Sequence, residues 1–310
     1  MNFKCVECGA SFKKEAGLHI HVKIHGGVAA YYQKNFPNRD RLDGSLINFS
    51  NPEQYLGECF NSLKTRNTFL KGCSRKEGRD VVIHELSADK KKYGLTHLPS
   101  QNYYILKKRA GLITCENFFE SKKELADNLG LDLFYDKPLP ENFWTVSEEE
   151  LNKIEIHRDT REQKPFSFSN YIVNKLDFGD YCAGGIHYNK TFIDRKSPTD
   201  FKGTFGVGFE RFTKEVERAK LFNSFLFVVV ESSITEIIRS NLLGKYATNL
   251  SYAFSNVRKL CLKYPEVIQF VFCKTREDAQ DITKRILYFG IDLHKCDIQY
   301  YLDKKYVGKR

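Results

Sequence analysis

Between Asp159 and Lys196 the chain places three acidic groups and a lysine at the ends of short apolar runs, a pattern that few folds satisfy. The stretch reads Asp159-Thr-Arg161-Glu162, then Phe-Gly-Asp180-Tyr, then Phe-Ile-Asp194-Arg195-Lys196. Residues 190–193 (Lys-Thr-Phe-Ile) combine aromatic and β-branched side chains and read as a central β-strand. Side chains alternate along a strand, so Asp194 and Lys196 point to the same side. Asp180 closes the run 175–179, which reads as a neighbouring strand. Two such carboxylates side by side suit magnesium or manganese, which prefer oxygen ligands and keep several waters. A water activated there, with Lys196 stabilising developing charge, is the equipment for hydrolysing a phosphodiester. Taken singly, an Asp-Arg-Lys triplet is a solvated strand end and a Gly-Asp pair is a turn. Their ordered recurrence is what favours a site.

The composition agrees with a polyanionic partner. Forty-nine Lys and Arg face thirty-nine Asp and Glu, giving a formal net charge of +10 and a pI near 9.0. That excess points to nucleic acid, without separating DNA from RNA or an anionic membrane. Hydrophobic content of 41% and aromatic content of 14% mark a globular chain, long enough for two or three domains. The first residues, Met-Asn-Phe-Lys-Cys5, carry no apolar signal segment, and the apolar run 225–230 is far too short to span a bilayer. An intracellular protein is expected, cytoplasmic or, in a eukaryote, nuclear. The abundance of Lys, Asn, Phe and Tyr hints at an AT-rich phage or viral coding genome. Nine cysteines, only Cys5 and Cys8 closely spaced, read as buried thiols in a reducing compartment rather than a disulfide framework.

Cys5, Cys8, His21 and His25 form the spacing C-x2-C-x12-H-x3-H, that of a two-cysteine, two-histidine zinc finger. A knuckle presents two thiolates, and His21 and His25 face them from one helical turn. Phe12 and Leu18 supply the small apolar core. A module this short buries too little surface alone, so zinc provides its folding energy. Lys13, Lys14, His19 and Lys23 make the helical face basic and suited to DNA, with a protein contact or a structural cap as the alternatives. His19 lies outside the ligand set.

Beyond residue 27 the turn formers Pro37, Asp43-Gly44 and Pro52 predict a loop-rich connector. Helices are expected over 52–71 and 80–93, then from the N-cap Ser100 to a break near Gly111, and over 116–128 ending at Gly130. The segment 96–131 weakly resembles the helical DNA-binding repeats attached to phage homing endonucleases, the competing reading being a plain helical hairpin. Lys107, Lys108 and Arg109 form a basic cluster able to meet phosphate. A boundary is expected over 134–146, around Pro138 and Pro140. The domains are therefore read as 1–27 zinc finger, 28–146 mainly helical DNA-binding region, and 147–310 α/β domain with a mixed sheet. In the last, helices are expected over 201–222, 233–264 and 276–289, and strands over 225–231 and 267–273.

The elements D-x-R-E at 159–162, G-D-Y at 179–181 and D-R-K-S at 194–197, followed by Asp200 and Gly203, resemble the XPF-type nuclease domain. That domain is a branch of the restriction-enzyme-like PD-(D/E)xK superfamily, and the resemblance covers roughly the last half of the chain. Asp194 departs from it, because the family usually has Glu there. The resemblance implies a restriction-endonuclease-like fold and a magnesium- or manganese-dependent DNA endonuclease. Asp180 and Asp194 would hold the metal with the Arg195 carbonyl, and Lys196 would position the water. Asp159 and Glu162 would support the metal through water, and Arg161 and Arg195 would contact the DNA backbone. Glu215 and Arg218 read as structural. Family members are dimeric, so a homodimer or a partner subunit is implied. The family's C-terminal helix-hairpin-helix has no counterpart after residue 289, which leaves DNA gripping to the N-terminal half, the basic tail or a partner. The alternatives are a DNA-binding scaffold with an inactive nuclease fold, and an enzyme acting on RNA.

Overall fold

The computed structural model describes residues 3–35, 63–107, 109–243 and 249–307. The chain begins with β1 (Phe3–Lys4), β2 (Ser11–Phe12), α1 (Glu15–His21) and a 3-10 turn (Val22–His25), followed by α2 (Val28–Asn35). Next come α3 (Leu63–Gly72), α4 (Arg75–Tyr93), α5 (Gln101–Lys107), α6 (Leu112–Cys115) and α7 (Lys122–Leu129). After α8 (Glu148–Leu151) follow β3 (Ile156–Asp159), β4 (Tyr171–Asn174), β5 (Tyr181–Ala183) and β6 (Thr191–Lys196). The chain continues through α9 (Pro198–Phe205), α10 (Phe209–Leu221), β7 (Phe225–Val230), α11 (Ile234–Leu243) and α12 (Leu250–Lys263). It closes with β8 (Ile268–Phe272), α13 (Arg276–Phe289) and α14 (Ile298–Val307). Among the described residues no helix is long and apolar enough to cross a membrane.

Two compact units result, residues 1–94 with 107–130, and residues 95–106 with 131–310. In the first, β1 and β2 pair antiparallel, and Leu18 and Val22 bury against Cys5 with Phe3 and Phe12 at the margin. Helix α2 lies where the turn formers beyond residue 27 predicted a loop-rich connector. Its Tyr31 is fully buried against the finger, and its hydroxyl accepts the Val6 N–H at 2.9 Å. Helix α4 opens on a capping box, Ser74 and Glu77, and begins at Arg75, five residues before the predicted start at 80. Of the helix expected over 52–71, the part from 63 is α3, and the rest lies outside the described residues. The helix expected over 116–128 is shorter. Phe118 and Phe119 turn into the core, and Ser121 then caps α7, its hydroxyl accepting the Glu124 N–H at 3.1 Å. Gly130 ends α7 as expected.

The second unit is built on a six-stranded mixed sheet in the order β4-β3-β5-β6-β7-β8. β7 reads Phe-Leu-Phe-Val-Val-Val and is buried on both faces, the mark of a strand covered by helices on two sides. Leu226, Val228 and Val230 face Phe201, Phe205, Phe212 and Val216, whereas Phe225, Phe227 and Val229 face Ile282, Ile286 and Leu302. Helices α9, α10 and α12 thus cover one face, and α13 and α14 cover the other. β6 and β7 run parallel in register from Thr191 opposite Phe225 to Lys196 opposite Val230.

Three expectations change here. Residues 175–179 are not a strand; β4 ends before them and β5 begins after Asp180. Residues 201–222 are two helices, because the chain breaks between α9 and α10 at Gly206–Gly208. A Cβ on Gly206 would lie 2.7 Å from the Lys202 carbonyl oxygen, so only glycine makes that corner without a shift. The helix α13 matches its expected bounds but does not close the domain. Ile298 and Leu302 of α14 belong to the core, while Lys304 and Lys305 rest on the rings of Tyr300 and Trp144.

Candidate active site and metal centre

The catalytic candidates gather at one end of the sheet. β3 ends at Asp159, β6 ends at Lys196 and β7 ends at Val230, all at the same edge. Asp180 stands just before β5 at that edge rather than closing a strand. Gly179 turns the chain there with φ of +68°, and a Cβ on it would meet the Ile193 carbonyl oxygen at 2.8 Å. The Asp180 N–H donates to that same carbonyl at 2.6 Å, which ties the turn to β6. One Asp180 oxygen accepts the Arg195 N–H at 2.7 Å.

Alternation along β6 sorts its last three side chains as predicted. Phe192, Asp194 and Lys196 share the face covered by α9 and α10, and Lys196 Nζ lies 2.5 Å from Asp194 Oδ1. Asp194 Oδ2 is buried without a hydrogen-bond partner. Burial and the neighbouring Asp194 carboxylate push Asp180 well above the usual carboxylate range, against the pull of Lys196. Burial would lower Lys196, but Asp194 and Asp180 outweigh it and keep the amine protonated.

A third acidic group joins them. Glu215 on α10 accepts the Gly179 N–H at 2.9 Å, and burial together with Asp194 raises it. Its sequence position in a charged amphipathic helix gave only a structural reading; the site half became visible when α10 packed against β6. Asp180, Asp194 and Glu215 therefore crowd three carboxyl groups around Lys196. An orphaned, buried carboxylate oxygen within that cluster fits a hard divalent cation held by Asp180 and Asp194.

The other predicted residues take supporting places. Asp159 is buried, and both its oxygens are occupied: Oδ1 accepts from the Arg161 N–H and Nε, Oδ2 from Leu176 N–H and Arg161 Nη2, at 2.6–3.0 Å. Burial raises Asp159, and these donors, Arg161 first, bring it below the ordinary range. Arg161 remains largely exposed, its side chain 63% accessible. Arg195 points to the opposite face from Asp194, with only 6% of its side chain accessible. It forms a two-pronged pair with Glu162 at 3.0 and 3.1 Å and reaches Glu231 at 2.9 Å. Glu231 also pairs with Arg276, which binds the carbonyls of Lys164 and Pro165 at 2.7 and 2.8 Å. The expected DNA-backbone contact of Arg195 is therefore replaced by a buried Glu162–Arg195–Glu231 network, to which the more exposed Arg276 adds a fourth charge. Asp200 is likewise structural: Ser197 caps α9, accepting the Asp200 N–H at 3.2 Å and donating to its carboxylate at 2.6 Å. Replacing Arg195 by Met is expected to cost about 3–5 kcal/mol of stability, as removing one partner of a buried ion pair does. Chemical denaturation would measure it, and a loss below 1 kcal/mol would contradict the network.

In the N-terminal module the ligand atoms of Cys5, Cys8, His21 and His25 lie within 4.8 Å of one another. Two thiolates and two imidazoles are the donor set of a tetrahedral zinc site. His25 Nε2 is buried without a partner, aimed into the cluster, while Nδ1 lies 3.4 Å from Glu7 Oε2. Glu7 is held in turn by Asn35 Nδ2 at 2.8 Å and Lys34 at 3.3 Å, both from α2. Such an outer carboxylate selects the tautomer that leaves Nε2 for metal. Burial raises the Cys5 thiol, but hydrogen bonds from Cys8, Glu7 and His21 prevail and lower it to about 7, towards the thiolate a metal requires. Lys13 and Lys14 are exposed at the start of α1, as is Lys23, and His19 is not in the cluster.

Of the central basic cluster, Arg109 is bound to Asp89 at 2.8 and 2.9 Å, and Lys107 donates to the Tyr93 hydroxyl at 2.6 Å. Lys108 lies outside the described residues.

No protein-family model matches the chain, and no curated protein matches it. Among solved structures it is similar to XPF from Aeropyrum pernix, with 17% identity over 47% of this chain and 71% of that one and a TM-score of 0.34. It is similar also to XPF from Aeropyrum pernix in complex with DNA, with 15% identity over 44% and 64% and a TM-score of 0.33.

Proposed function

We propose that the protein is a metal-dependent DNA endonuclease that hydrolyses phosphodiester bonds, with the zinc finger contributing to DNA binding. The observation that carries this reading is the buried, unpartnered Asp194 Oδ2 beside Asp180 and Lys196 at the end of the sheet. Bound there, magnesium or manganese would polarise the scissile phosphate and acidify a water. Asp180 and Asp194 would hold the cation, and the Arg195 N–H fixes the Asp180 carboxylate for that task. Lys196, kept protonated by the same carboxylates, directs an N–H at the attacking water or the developing phosphorane charge. Glu215 fixes the Gly179 turn that presents Asp180. Glu162 and Arg195 brace β6 from the opposite face. Asp159 anchors Arg161 at the rim, where the guanidinium can meet a phosphate.

The test is cleavage of labelled duplex, flap, fork and single-stranded DNA, and of matched RNA, by the zinc-loaded protein with and without magnesium or manganese. Metal-dependent cutting of DNA is expected. DNA binding without cutting under either metal would instead support a scaffold with an inactive nuclease fold, and cutting of RNA alone would reassign the substrate. A finer outcome concerns Glu215→Gln, whose amide oxygen still accepts from Gly179. It should keep the melting temperature within a few degrees yet weaken magnesium activation about tenfold, because one carboxylate charge is lost beside the cation. Unchanged magnesium dependence would make Glu215 purely structural.

A further inference from the structure

On α10 the charges are sorted. Phe212, Val216 and Ala219 form its buried face, and Glu215, beside that face, turns towards Asp194 and Lys196. Next around the helix come Arg211, Lys214 and Arg218, exposed at i, i+3 and i+7 and therefore on one stripe. The acids Glu210 and Glu217 lie beyond them on the far side. Glu217 accepts from the Tyr264 hydroxyl at 2.8 Å and lies 4.0 Å from Lys263, so it is turned away from the stripe. Among the described residues no carboxylate lies within ion-pair distance of Arg211, Lys214 or Arg218. By contrast Lys220, two residues further on, pairs with Glu266 at 2.7 Å.

Three unpaired cations thus border a cluster of carboxylates, with Arg161 also within electrostatic reach of Glu215 and Asp180. We propose that the Arg211–Lys214–Arg218 stripe of α10 is a track for the phosphate backbone of DNA, leading it along the rim of the acidic site. Charge complementarity argues for this occupant. An acidic pocket repels a polyanion, so cations beside it must hold the strand against the site. At a rise of 1.5 Å per residue the stripe runs about 10 Å, roughly three base steps of one strand at 3.4 Å each. The proposal rests on the nuclease reading for the identity of the polyanion only.

The test measures DNA affinity against salt for the full chain carrying Asp194→Ala, without added magnesium. The triple change Arg211→Gln, Lys214→Gln, Arg218→Gln is compared with Lys137→Gln, Lys153→Gln, Lys263→Gln, which removes the same charge from other exposed positions. Each lost phosphate contact lowers the slope of log affinity against log salt by about 0.9 on duplex and 0.7 on single strands. The α10 triple should lower it by about 2–3, and the control triple by less than 1. Equal slopes for the two triples would overturn the track, since only generic charge would then be at work. Wild-type cleavage is measured separately. A lowered slope in a protein that never cuts would keep the track and discard the nuclease reading; normal cutting with an unchanged slope would do the reverse.

Discussion

Asp194→Ala and Lys196→Ala should each reduce metal-dependent cleavage by at least a thousandfold while leaving DNA affinity within a few fold. Asp194 supplies the orphaned oxygen, and Lys196 is, among the described residues, the amine set among the carboxylates Asp180, Asp194 and Glu215. Removing a metal ligand would weaken the hold on the cation and on the water it acidifies, and charge stabilisation in such sites is worth several kcal/mol. The two variants should differ in one respect. Asp194→Ala weakens the metal site, so raising manganese should recover part of the activity. Lys196→Ala leaves both Asp180 and Asp194 in place, so added metal should recover little. Both proteins should fold, because the sheet is held by hydrophobic clusters on its two faces. Near-normal cutting by either variant would sink the catalytic assignment.

Removal of zinc should unfold the N-terminal module and spare the sheet. The finger and α2 together bury a core of four residues among those described, Cys5, Leu18, Val22 and Tyr31, too little apolar surface for a stable fold. Zinc binding to modules of this donor set supplies on the order of 10–16 kcal/mol at neutral pH, so Cys8→Ser should lose ordered signals for residues 3–35. Glu7→Gln should act more gently, lowering zinc affinity about 10–100-fold through the orientation of His25, as outer carboxylates of metal-bound histidines do. Competition with a chromogenic chelator reads the affinity, and nuclear magnetic resonance reads the fold. Dispersed finger signals persisting without metal would refute the dependence. If the finger contributes to DNA binding, Cys8→Ser should weaken that binding while the salt response of the α10 stripe persists.

What could be read from the residues alone follows their local physics. The spacing of Cys5, Cys8, His21 and His25 is set by one knuckle and one helical turn, so the cluster is written in the chain itself. The strand ending at Lys196 and the common side of Asp194 and Lys196 follow from β-branched residues and a two-residue period. Continuous apolar runs located the central strands, whereas the helix expected from residue 201 starts at Pro198 behind its cap Ser197. Tertiary structure decided the rest, because electrostatic partners and buried turns join residues far apart in sequence. Helix α10 had to pack on β6 before Glu215 could reach Gly179, 36 positions away. Likewise, Arg195 became a buried brace rather than a surface contact only when Glu162 and Glu231 converged on it from two other segments. The turn at Gly179, not a strand, delivers Asp180, because the Ile193 carbonyl comes too close for any side chain. Periodicity fixes which way a side chain points along its own element; only packing between elements fixes what it meets.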